Sequence, residues 1–215
     1  MGVCLLDRFG EPGWRGLGEA YDRGELSFRT LIETENDQLR ATRLEMLDFV
    51  LGHCPMDPTF APFAEWIGSE GLPLTIVSDG SAFHIEPLLE AAGISVATIV
   101  TNEQVFGADG HRTGMRFPNG HPECVGCGTC KMQAVLRAQE AAGPVAFVGD
   151  GVSDRYAALY ADVVFAKLRL TEYCERADVP YRPWDDFHDV RRSLESGDGL
   201  PGAVAPIRCP GWTTV

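Results

Sequence analysis

The sequence predicts an α/β protein, a three-layer Rossmannoid parallel sheet covered by helices and preceded by a small N-terminal α-helical cap. Three observations predict it. Short apolar runs at 74–77, 96–100, 145–148 and 163–166 alternate with helical stretches, the pattern of βαβ units in a sheet buried on both faces. Before residue 58 the apolar residues instead recur at spacings of three and four with charged residues between them. Between the two regions, CPMDPTF places Pro55 and Pro58 where a helix must end.

In the cap, Leu5, Leu6 and Phe9, then Leu39, Leu44, Leu47 and Val50, mark the buried faces of short helices broken at 10–18 and 22–25. Phe9, Trp14, Tyr21 and Phe28 either fill the cap core or shape a pocket beneath it. The core is expected as helix 60–70, strand 74–77, helix 83–92, strand 96–100 and a Gly-rich, hairpin-like excursion over 106–120. Helix 131–142, strand 145–148, helix 154–160 and strand 163–166 follow. The expected divisions are a cap at 1–57, a core at 58–196 and an irregular Gly- and Pro-rich tail at 197–215.

The chain has 215 residues, 45% hydrophobic and 23% charged, the balance of a globular protein with a full core. Its net charge of -13 repels phosphate backbones and anionic membrane surfaces, so neither nucleic acid nor membrane is an expected partner. Any phosphate bound here must be held by local donors. No run approaches the roughly 18 apolar residues of a membrane span, and no signal-type core follows Met1, so the expected compartment is the cytoplasm. The seven cysteines (Cys4, Cys54, Cys124, Cys127, Cys130, Cys174 and Cys209) are odd in number and uneven in spacing. That is a poor disulfide framework and fits a reducing compartment.

In parallel sheets ligands sit beyond the carboxyl ends of the strands, which draws attention to three junctions. TIVSDG ends a strand in Ser78, Asp79 and Gly80 and opens a helix; hydroxyl and amide donors there suit an anion, or Ser and Asp simply cap the helix. Lys131 stands at a helix N-terminus, where the macrodipole disfavours a cation, so a phosphate or carboxylate partner is expected. VAFVGDGVSD ends another strand and presents Asp150 and Asp154 as hard oxygen ligands suited to Mg²⁺, with capping by Asp150 or Ser153 as the plainer reading. Separately, HPECVGCGTCK places His121, Cys124, Cys127 and Cys130 three apart, a candidate soft-metal or redox cluster if not simply buried thiols.

Taken in order, Ser78-x-Gly80, Lys131 and Gly149-Asp150-Gly151-x-Ser153-Asp154 resemble the second, third and fourth motifs of the haloacid dehalogenase superfamily, over residues 59–167. The helical segment before them resembles the cap of the phosphoserine phosphatase branch. Within that branch, LLDRFGEPGW, GELSFRTLIE, IVSDGSAFHIEPLLEAAGI and CGTCK are similar to the methionine-salvage phosphatases acting on 2-hydroxy-3-keto-5-methylthiopentenyl-1-phosphate. The resemblance implies a Mg²⁺-dependent phosphatase for a small phosphorylated metabolite. It assigns Ser78, Asp79, Gly80 and Lys131 to the phosphate, Ser78 and Lys131 to catalysis, Asp150 to the metal, and Asp154 to the metal shell or the lysine.

One motif of that superfamily has no counterpart. Its nucleophile is the first Asp of a DxDxT-type motif on the first strand, which forms an aspartyl-phosphate. Asp7 follows an apolar tetrad but has Phe9 two residues on, and reads as a cap-helix residue. The expectation is a first core strand missing by truncation, since losing a central strand exposes two sheet edges, and such an edge would favour a homodimer. The alternatives are a non-catalytic phosphate-binding pseudoenzyme and, with the strand restored, a phosphoserine phosphatase. The latter would need a cap charge pair for ammonium and carboxylate, which the sequence does not display.

Overall fold

The computed structural model describes residues 2–96 and 98–197. The expected irregular tail therefore lies, from residue 198 on, outside the described residues. The chain divides into two compact units, one of residues up to Pro58 with Thr75–Thr129, the other of Thr59–Leu74 with residues from Cys130 onward. No helix among the described residues is long and apolar enough to cross a membrane.

In the first unit the helical region comprises α1 (Gly2–Phe9), α2 (Arg15–Asp22), α3 (Phe28–Asp37) and α4 (Arg43–His53). Local chemistry sets their starts. The Ser27 hydroxyl accepts the Thr30 amide, and Thr42 with Glu45 forms a reciprocal capping box. Leu5, Leu6, Met46 and Val50 are buried together with Phe83 and Leu88, and Phe9 and Trp14 pack against this core. Tyr21 and Phe28 meet edge to face.

Cys4 and Cys54 form a disulfide between the start of α1 and the end of α4, against the expectation of no disulfide framework. The pairing follows from the packing of the two helices, which a separation of 50 residues does not reveal. Closing a loop of that length stabilises a fold by roughly 2–4 kcal/mol.

Glu35 of α3 is half-buried, and burial raises its pKa to about 7. A carboxyl whose folded pKa is raised binds more protons folded than unfolded, so its stabilising contribution is present near pH 4 and falls as pH rises to about 7. Thermal melts between pH 4 and 8 are expected to show this decline in the wild type and a flatter profile for Glu35→Gln. Equal slopes would refute the assignment.

The sheet of this unit has the order β1 (Thr75–Ser81), β2 (Thr98–Phe106), β3 (Arg112–Arg116), with α6 (Ala82–Ala91) connecting β1 to β2. β1 and β2 pair in parallel from Thr75 opposite Thr98, and β3 returns antiparallel as the expected hairpin.

The second unit contains α5 (Phe60–Ser69), α7 (Lys131–Ala142), β4 (Ala146–Gly149), α8 (Arg155–Ala158), β5 (Val163–Ala166), α9 (Arg169–Arg176), β6 (Arg182–Pro183) and α10 (Phe187–Ser196). Its sheet is wholly parallel, in the order β4-β5-β6. β5 is central and buried at every position, which accounts for its uninterrupted apolar sequence VVFA. Met132, Val135, Phe147, Ala157, Leu159, Val164, Leu170 and Cys174 form the core.

Three expectations are corrected. The single parallel sheet is replaced, among the described residues, by two three-stranded sheets, one of them mixed. β1 and β4 are edge strands, each with one side that no described strand pairs. The helix expected over 154–160 is a 3₁₀ turn at Val152–Asp154 followed by the single turn of α8, because the Asp154 carboxylate folds back onto the preceding amides. Finally, α9, β6 and α10 extend the second unit through a region where the sequence reading placed no elements.

Candidate functional site

Each unit carries one cluster of the expected residues. In the first, the β1 ladder loses register after Val77 and resumes at Ser81, so residues 78–80 form a turn outside the ladder. Their carbonyls are satisfied by side chains instead. Thr129 Oγ1 donates to Ser78 O at 2.8 Å, Asn102 Nδ2 to Asp79 O at 2.9 Å and Thr101 Oγ1 to Gly80 O at 2.6 Å. Thr129, Asn102 and Thr101 are buried, so these bonds are shielded from water. The Ser78 hydroxyl accepts the Gly80 amide at 3.0 Å and keeps its own proton to donate.

Asp79 does not turn its side chain to the same end; its Oδ1 accepts the Thr129 amide at 2.9 Å. Ser81, almost fully buried, accepts the Gln104 amide just before α6 begins. α6 starts directly after this turn with no side-chain cap on its first amides, and an anion is favoured at such a helix start.

Thr101, Asn102 and Thr129 were missed by sequence reasoning. The signal available was two polar residues directly after the apolar TIV run and a Thr between two cysteines, and neither pattern names a partner. Replacing Thr129 by Val keeps the shape and removes the donor, leaving Ser78 O without it. We expect a loss of about 1–3 kcal/mol, read as a lower urea midpoint at unchanged slope; an unchanged midpoint would show that the bond is dispensable.

In the second unit, Lys131 is the first residue of α7, with its side chain 10% exposed. Its Nζ donates to Asp154 Oδ1 at 2.6 Å and to Ser153 Oγ at 2.8 Å, so the carboxylate offsets the helix dipole that opposes a cation here. Asp154 Oδ2 accepts the amides of Asp150 and Gly151 at 3.0 and 2.9 Å. A Cβ on Gly149 would stand 2.8 Å from this carboxylate, so only glycine fits at the end of β4. The Gly149 carbonyl accepts Trp184 Nε1 at 3.3 Å, and the Leu170 amide reaches Asp150 O at 3.2 Å, fixing the strand end from two further elements.

The chemistry of these donors fits Mg²⁺ in part. Asp150 is exposed at the strand end, and no residue among those described bonds its carboxylate, so a hard oxygen ligand is available there. Both oxygens of Asp154 are already engaged, which makes it a brace for Lys131 and the turn. Leu168, exposed and held at φ 51 just beyond β5, is a further residue the sequence did not single out.

The cysteine-rich segment is placed as follows. His121 and Cys124 are buried, and each accepts an amide two residues on, His121 Nδ1 from Glu123 and Cys124 Sγ from Gly126. Cys127 and Cys130 are half-buried. Among the described residues no three His, Cys, Asp or Glu side chains come together as a metal-holding group.

A parallel strand end with a serine turn, and another with a Lys–Asp pair and an exposed carboxylate, are carried by an α/β fold similar to that of phosphoserine phosphatases. A phosphoserine phosphohydrolase-like protein from Francisella tularensis subsp. tularensis SCHU S4 aligns at TM-score 0.64 over 84% of this chain and 83% of its own, at 19% identity. A phospho-aspartyl intermediate analogue of phosphoserine phosphatase aligns at 0.65 over 91% of each chain, at 16% identity. The haloacid dehalogenase-like hydrolase family model matches residues 5–159, and the chain belongs to that family. It is 30% identical over 196 residues to the 2-hydroxy-3-keto-5-methylthiopentenyl-1-phosphate phosphatase of Brevibacillus brevis, covering 90% of this chain and 87% of that one. The Bacillus velezensis phosphatase of the same name is 26% identical over 201 residues, covering 90% and 83%.

Proposed function

We propose that the chain is the cap and core of a Mg²⁺-dependent phosphomonoester hydrolase for a small phosphorylated metabolite, with the methionine-salvage compound 2-hydroxy-3-keto-5-methylthiopentenyl-1-phosphate as its substrate. The observation that carries the reading is the 30% identity, over nine-tenths of the chain, to a phosphatase of that name. In this reading Ser78 and Gly80 hold phosphoryl oxygens, Lys131 balances the phosphate charge, and Asp150 binds the ion with Asp154 supporting Lys131. Bound there, Mg²⁺ would supply charge neutralisation to the transferring phosphoryl group. The protein's part is positioning and electrostatic stabilisation.

The nucleophile is the element this reading does not find in the chain: no Asp-x-Asp sequence occurs in its 215 residues. Among the described residues β1 and β4 each have one side without a partner strand, which is compatible with a further strand supplied by a longer parent protein that is the active form. The absence of that pair also supports a second reading, a phosphate-binding relative without turnover. The open edges favour association into a homodimer.

The proposed compartment is the cytoplasm, supported by Cys124, Cys127, Cys130 and Cys174, which form no disulfide among the described residues, with the Cys4–Cys54 disulfide the feature that speaks against it. The deciding experiment is a panel of phosphorylated metabolites offered, with Mg²⁺, to the chain extended by an in-frame upstream strand. Hydrolysis of the methylthiopentenyl phosphate, lost in Asp150→Asn, is the expected result; hydrolysis of phosphoserine alone would overturn the substrate, and no hydrolysis at all the activity.

A further inference from the structure

His84 sits in the first turn of α6, directly after the Ser78–Gly80 turn, and is 4% exposed. Its Nδ1 is buried with no hydrogen-bond partner among the described residues. A buried polar atom without a partner is destabilising, so a histidine with such an atom in a packed position calls for an explanation. An apolar residue of similar size would fill the space beside Phe83, whose ring meets the imidazole edge to face at 4.7 Å.

The direction of the ring supplies one. The point where a Cβ on Gly80 would stand is 3.2 Å from His84 Nε2 and 3.1 Å from Ser78 Oγ. Glycine thus leaves a small cradle at the turn, bordered by the Ser78 hydroxyl, an imidazole nitrogen and, at 3.2 Å, the Ile85 Cδ1 methyl. Two donors therefore border one gap at the N-terminal end of a ten-residue helix.

Resting on the phosphate-binding role of the Ser78 turn, we infer that His84 is a further phosphate-contacting residue, its Nε2–H donating to the anion that the Ser78 hydroxyl also holds. Burial keeps the imidazole neutral, with its pKa lowered to about 4. Neutral imidazole carries one proton, and with Nδ1 enclosed and unpartnered the proton belongs on Nε2, where it can be used. A neutral donor also avoids placing a cation against the positive end of the α6 dipole.

The test is titration of the 215-residue chain with inorganic phosphate by calorimetry, alongside His84→Phe, His84→Gln and Ser78→Ala. A hydrogen bond to a charged group is worth about 1.5–3 kcal/mol, so His84→Phe is expected to weaken phosphate roughly tenfold or more. His84→Gln, which retains an N–H, should recover part of that. Thermal melting of His84→Phe should match or exceed the wild type, because an unpartnered polar atom has been removed. Long-range ¹H–¹⁵N spectra of the wild type should show the Nε2–H tautomer, with its resonance shifting as phosphate is added.

Unchanged affinity in His84→Phe, with Ser78→Ala weakened, would overturn the role of His84 and leave the Ser78 site standing. Affinity indifferent to Ser78→Ala, or no binding by the wild type, would overturn the phosphate-turn reading and this inference with it.

Discussion

Replacing Asp154 by alanine is expected to destabilise the second unit more than any other single change in it. The substitution strands the Lys131 ammonium, 10% exposed, without its carboxylate, and releases the Asp150 and Gly151 amides from Oδ2. Breaking one partner of a buried pair typically costs about 3–5 kcal/mol, a large fraction of a domain's whole stability of about 5–15 kcal/mol. At about 2–4 °C per kcal/mol for a chain of this size, melting is expected to fall on the order of 10 °C. Adding Lys131→Met should recover part of the loss by removing the stranded charge, the signature of a coupled pair. If Asp154→Ala melts with the wild type, the pair is not buried as described and its bracing role fails.

The 215-residue chain is expected to show no turnover of p-nitrophenyl phosphate with Mg²⁺ above the protein-free rate. If the proposed aspartyl-phosphate route holds, turnover needs a carboxylate aligned with phosphorus that positioning groups alone do not replace. Removing the nucleophile from an enzyme that uses one commonly lowers kcat by on the order of 10⁴-fold or more. Extension with an upstream strand carrying Asp-x-Asp-x-Thr should therefore raise activity by at least that factor. Asp7 is the control. It lies on helix α1 and pairs with Arg15 at 2.5 Å, so Asp7→Asn should change nothing. Turnover by the unextended chain that disappears in Asp7→Asn would make Asp7 the nucleophile.

The parts of the fold visible in the sequence are those set by local pattern. The helix beginning at Lys131 and the strand at Val163–Ala166 fall where apolar periodicity and a buried apolar run put them. The Lys131 argument from the helix dipole asked for a phosphate or a carboxylate partner, and the structure supplies a carboxylate, Asp154. What stayed hidden depends on partners distant in sequence. The donors to the 78–80 carbonyls come from 21, 23 and 51 residues away, and Cys4 meets Cys54 across 50. The amphipathic RLTEYCER of α9 has helical spacing but no apolar run around it, so alternation of strands and helices gave no reason to extend the sheet with β6.

The side-chain bonds to the carbonyls of Ser78, Asp79 and Gly80 bear on how fast an anion exchanges. A loop that must order around its ligand loses affinity to that ordering and often adds a slow step to association. Here Thr101, Asn102 and Thr129 complete the ordering during folding. On the proposed phosphate-binding role of this turn, phosphate is expected to enter and leave in a single diffusive event, with no isomerisation phase in stopped-flow traces, and selectivity here becomes a matter of dissociation rate.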